Sequence, residues 1–147
     1  MIKMDQALYR AKLKCKELTH DHRGMYPGEL ERIRSVGGKV IDGRVNGGLI
    51  PSRTLGDLSH KLHNPGAVVA VPETNVYELQ REDQYLIIAS DGLWDDISAE
   101  RAVGIVRNAT KSQPAAEALA REVAKKYGGK QMDDFTVIVV RFLHPGA

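Results

Sequence analysis

One cysteine, Cys15, stands in the whole 147-residue sequence. No disulfide can form within the chain, and a reducing compartment is the expectation. Neither sign of charge prevails: 21 basic and 19 acidic residues leave a net charge of +2. That balance argues against nucleic acid or a membrane surface as a partner. No apolar run approaches the roughly 18 residues that a membrane-spanning helix needs. The opening stretch, MIKMDQALYRAKLKCK, scatters charge throughout and lacks the apolar region of a secretory signal. We therefore expect a cytoplasmic or nuclear protein. Internal repeats and low-complexity segments are absent as well. What is there suits one globular domain: 42% hydrophobic and 27% charged residues.

Along the chain, Tyr9 to Lys16 alternates, with Ala11, Leu13 and Cys15 on one side and Lys12, Lys14 and Lys16 on the other. The period is that of a half-buried strand, with an amphipathic helix as the alternative. Glu29 to Val36 reads as a short helix stopped by Gly37 and Gly38. KVIDGRVNGGLI reads as a hairpin with Asp42-Gly43 or Asn46-Gly47 at its turn. PSRTLGDLSHKLHNPG reads as a polar loop, and Val68–Val71 and Asn75–Leu79 as short strands. Gln84 to Ser90 is a buried strand by its continuous apolar run. Ser98 is placed to cap a helix running to about Asn108, and Pro114 to open a second helix with Ala116, Leu119, Ala120, Val123 and Tyr127 on its apolar face. Phe135 to Phe142 is the last strand.

Two helices between two strands can pack as an antiparallel pair over one sheet face. The flanking strands then run antiparallel, and if they are neighbours the exit of the first meets the entrance of the last. Asp91 follows that exit in IIASDGLWDD; Asp133 and Asp134 precede that entrance in MDDFTVIVV. Carboxylates gathered at like charge call for a neutralising cation, and hard divalent ions take oxygen ligands of this kind. A purely structural reading stands beside it: Asp-Gly is a common turn, Asp95 or Asp96 can cap a helix, and Asp133-Asp134 can simply begin a strand. Spacing leaves both open.

At these residues the sequence resembles the C-terminal half of the metal-dependent (type 2C) protein serine/threonine phosphatases. The resemblance rests on five motifs in order: ELTHDH, ELERIRSVGGKV, GGLIPSRTLGDLSHK, VPETNVYELQREDQYLIIASDGLWDDIS and MDDFTVIVV. It implies an α+β fold that is part of a two-sheet antiparallel β-sandwich flanked by helices. It also implies hydrolysis of phosphoserine and phosphothreonine in phosphoprotein substrates, with Mg²⁺ or Mn²⁺ as cofactor. By resemblance Asp91 and Asp133 are ligands of a binuclear centre, and Asp95 matches a carboxylate that holds an additional, weaker metal. Arg53 and Asp57 fall in a motif read as structural, and Asp21 to about Val45 falls near the family's flap.

The sequence departs from the family at three points. An Arg that holds phosphate, a Glu-Asp pair and an Asp-Gly-His-Gly-Gly loop have no counterpart here, and His20, His22, His60, His63 and His144 lie outside any such loop. MDQALYR is a poor match for the motif that normally precedes the Leu-Thr segment. Asp134 stands where the family has Asn. The expectation is thus a single partial phosphatase domain over residues 1–147, inactive as an isolated half and completed by an N-terminal half or by self-association. The alternative is a non-catalytic, phosphatase-like module that binds partner proteins.

Overall fold

The structure is a computed structural model and describes residues 3–7, 15–109, 112–128 and 134–143. Its elements in chain order are β1 (Lys3–Ala7), β2 (Cys15–Glu17), α1 (Pro27–Ser35), β3 (Val40–Ile41), β4 (Arg44–Val45), α2 (Leu58–His63), β5 (Tyr85–Ala89), α3 (Asp91–Trp94), α4 (Ala99–Arg107), α5 (Ser112–Tyr127) and β6 (Val137–Arg141). The chain forms two compact units, one of Met1–His20 with Asn75–Ala147 and the other of Asp21–Thr74.

The first unit is an antiparallel sheet of order β2-β1-β5-β6. On β5, Tyr85, Ile87 and Ala89 are buried and alternate with half-buried Leu86 and Ile88, the period of two that a strand imposes. The buried set meets the apolar faces of α4 (Ala102, Val103, Val106) and α5 (Ala115, Leu119, Val123) in one cluster. Ser98 caps α4, its Oγ accepting from the Arg101 N–H at 3.3 Å. That bond satisfies one of the donors a helix start leaves open. Arg101 near the start of α4 bonds Glu122 in the later half of α5, so the two helices run antiparallel over one sheet face. On the other face Ile138 and Val140 are exposed. Cys15 is partly buried against the core, as its place on the alternating run predicts. The rest of that expected strand, Tyr9 to Lys14, lies outside the described residues, and β1 was not anticipated.

The second unit has a small apolar cluster, Ile33, Val45, Ala67 and Val68. Beside it lies a buried carboxylate, Glu29, on α1. Its Oε2 accepts from Ser52 Oγ at 2.6 Å and Arg32 Nη2 at 2.7 Å, and its Oε1 from Arg53 Nη2 at 2.6 Å and Nε at 3.1 Å. Burial alone would raise the Glu29 pKa; the bonds from Arg53, Ser52 and Arg32 outweigh it and hold the carboxyl down at about 2. Arg53 also donates to the Val71 carbonyl, and Arg32 to the carbonyls of Ser52, Gly66 and Ala67. One charge cluster therefore ties α1 to the segment around Ser52 and to the segments near Gly66 and Val71. The structural role expected for Arg53 is this one. Asp57 adopts the left-handed conformation ahead of α2 and makes no side-chain cap.

β3 and β4 form the expected hairpin with its turn at Asp42-Gly43, both at positive φ. Two expectations are corrected. The segment read as a polar loop contains α2, and Val68–Val71 and Asn75–Leu79 form no strand. Val68 is buried in the small cluster, but Val68 and Val69 make only isolated bridges, to Pro65 and Arg53, and no ladder; the Val76 side chain is fully exposed, so the second run has neither a ladder nor a core to bury in.

Candidate metal centre

The site grows from the junction of β5 and β6. Their register pairs Ala89 with Val137. One step further, the Ser90 N–H donates to the Thr136 carbonyl at 3.0 Å, and the Thr136 N–H donates to Ser90 Oγ at 3.0 Å. The exit of β5 and the entrance of β6 are thus clamped side by side, the neighbouring antiparallel arrangement the sequence led us to expect. Immediately past the clamp the chain turns into α3. Its Gly92 is required by closeness: a Cβ there would lie 2.6 Å from the Asp134 carbonyl oxygen and 2.8 Å from the Phe135 Cβ. The Asp-Gly pair that read as an ordinary turn is a point where two backbones touch.

Asp91 opens α3, and the Asp95 N–H donates to its carbonyl at 2.8 Å. The two carboxylates are one helical turn apart, with Cβ atoms roughly 5–6 Å from each other on one helix face. Asp91 is half-buried and Asp95 exposed. The third acid of the run is engaged elsewhere: Asp96 accepts from Lys126 Nζ at 2.6 Å. That bond holds Asp96 below the usual carboxylate range and raises the Lys126 pKa. Trp94 is buried and packs over the strand end as expected, its Nε1 donating to the Ala89 carbonyl at 3.1 Å. Asp133 lies outside the described residues. Among the described residues no group of three or more His, Cys, Asp or Glu side chains gathers that could hold a metal ion. The described donors, Asp91 and Asp95, are of the oxygen type that hard divalent cations take. Sequence reasoning missed Lys126, because an ion pair across 30 residues has no local signature.

Residues 4–131 match the family model described as "Protein phosphatase 2C". The chain belongs to the protein phosphatase 2C family. Among curated phosphatase relatives, it is 40% identical over 129 residues to a probable protein phosphatase 2C 2 of Oryza sativa subsp. japonica, covering 86% of this chain and 34% of that protein. It is 36% identical over 132 residues to protein phosphatase 1A of Homo sapiens, covering 84% and 34%. The chain spans about a third of the length of the curated relatives it matches. A crystal structure of serine-threonine phosphatase 2C from Toxoplasma gondii superposes with a TM-score of 0.73 at 25% identity, over 94% of this chain and 50% of that one. The phosphatase 2C architecture accounts for the α+β layering of sheet and helix pair described above.

Proposed function

We propose that this chain carries part of the active site of a metal-dependent protein serine/threonine phosphatase, acting on phosphoserine and phosphothreonine in protein substrates with Mg²⁺ or Mn²⁺. The observation that carries the reading is the Ser90–Thr136 clamp, which holds the start of α3 against the entrance of β6. Membership of the phosphatase 2C family supports it. In this reading Asp91 and Asp95 hold cations, together with Asp133. When bound, such ions neutralise a phosphate ester and supply an activated water for in-line attack. The chain's own contribution is positional. Ser90 fixes the strand junction, Gly92 lets β6 approach, and Lys126 holds Asp96 apart with its charge matched. In this reading the two compact units are parts of one partial phosphatase domain, a reading supported by a family match that runs through both.

The test is hydrolysis of a phosphothreonine peptide with Mn²⁺, by the chain alone and by the chain supplied with the complementing portion of a phosphatase 2C domain. We expect turnover in the complemented sample and its loss with Asp91→Asn. Mn²⁺ binding without turnover in that sample would assign a non-catalytic binding module instead.

A further inference from the structure

α3 is a single turn, Asp91–Trp94, and a lone turn does not hold itself, because starting a helix fixes more backbone than its first hydrogen bond repays. Its position is set from outside. On the inner side Leu93 and Trp94 are buried, and the Trp94 indole donates to the Ala89 carbonyl. Near its start, Gly92 leaves no room for a Cβ against the Asp134 carbonyl and the Phe135 side chain. Just past its end, Asp96 accepts from Lys126 Nζ at 2.6 Å, and the Tyr127 side chain bonds the same carboxylate. Lys126 and Tyr127 are the last two residues of α5. The Asp96 side chain is only 9% exposed against 59% for Lys126, so the lysine reaches in to a carboxylate already held against the protein. Asp95 is the residue next to this bond, and its N–H donates to the Asp91 carbonyl at 2.8 Å. A shift of Asp96 therefore carries Asp95 with it and changes its distance from Asp91.

We propose that Lys126 and Asp96 are a positioning pair: by tying the exit of α3 to the end of α5 they fix Asp95 relative to Asp91, and so set the affinity of the junction for a small divalent cation. The inference rests on the metal assignment above and deepens it. Mg²⁺ and ions like it demand near-ideal coordination geometry, so a loosened donor is felt directly. Loss of a group that orients a metal ligand typically costs about 10–100-fold in affinity. A simple field effect makes a different forecast. Acting by charge alone, loss of the Lys126 cation would strengthen cation binding and loss of the Asp96 anion would weaken it. A brace is broken by either loss.

The experiment titrates Mn²⁺ calorimetrically into the full chain and its variants, and follows hydrogen exchange over Asp91–Ile97 in the metal-free proteins. Lys126→Met and Asp96→Asn should each weaken Mn²⁺ binding by about tenfold, and each should speed exchange at the α3 amides by about threefold or more. Lys126→Arg, which keeps a charged donor, should stay within about twofold of wild type. So should Lys125→Met, which removes the same charge one residue away, where the lysine bonds Glu122 instead of Asp96. Urea midpoints establish that each variant is folded, and Lys126→Gln replaces Lys126→Met if the latter is not. Unchanged or tighter Mn²⁺ binding by folded Lys126→Met, or α3 exchange unmoved in both variants, would overturn the positioning role while leaving the metal assignment intact. A folded wild type that binds no Mn²⁺ would overturn both.

Discussion

The two compact units are held together by different physics. The first buries a continuous apolar layer between a sheet and two helices. The second has four buried apolar residues and beside them a carboxylate bound by a serine and two arginines. Dispersion and the hydrophobic effect are forgiving: cores tolerate substitution if volume is kept. A buried charge cluster is not, because removing one member leaves the others desolvated and unpaired. The comparison teaches that one chain can answer the same need, tying distant segments together, by area in one place and by directed bonds in another.

The largest effect should come from Glu29→Gln, which leaves Arg32 and Arg53 without their counter-charge. We expect a loss of about 4 kcal/mol in the Asp21–Thr74 unit. Hydrogen exchange resolved by peptide would read it, and a loss confined to the other unit would break the comparison. Next, Leu119→Ala in the first unit should cost about 3 kcal/mol, the usual price of a cavity at a fully buried leucine. The fluorescence of Trp94, itself in that core, reports the shifted urea midpoint. Acid comes third and sharpens the contrast. The Glu29 carboxyl titrates at about 2 when folded, against an ordinary 4.5. The unfolded chain takes up this proton first as the pH falls, so the stabilisation is present above pH 4.5 and is lost as the pH drops towards 2. Between pH 7 and pH 3 the second unit should lose about 2 kcal/mol from this group, and Glu29→Gln should abolish that dependence. The smallest effect belongs to Lys126→Met: the lysine of this ion pair is 59% exposed and screened by solvent, so its loss should move the urea midpoint less than any of the changes above.

The first unit was the more legible in the sequence, for the same reason that it is the more apolar. Burial writes a period: two along Tyr85 to Ala89, near 3.6 along α4 and α5. The hairpin was legible because Asp42-Gly43 needs positive φ at both positions. Elements that bury little leave no such trace. The leucines of α2, Leu58 and Leu62, are 69% and 79% exposed, so no inward stripe marked the helix. Four residues of α3 are too few to show a period, and β1, with the sequence KMDQA, carries no clear alternation. Of the candidate site, Asp91 was singled out by its place past a strand end and Asp95 by resemblance, and the meeting of β5 with β6 followed from topology. The clamp through Ser90, the tight approach at Gly92 and the capture of Asp96 by Lys126 are long-range contacts that no local spacing encodes. The same holds for the Glu29 cluster, whose partners lie up to 24 residues away.

The central claim is that the acids at the β5–β6 junction bind a divalent ion together. A calorimetric titration of Mn²⁺ into the intact chain, repeated on Asp91→Asn and Asp133→Asn, tests it most directly. Heat of binding in the wild type that falls by about tenfold or more in affinity in each variant is the predicted result. Equal affinity in all three proteins would contradict it.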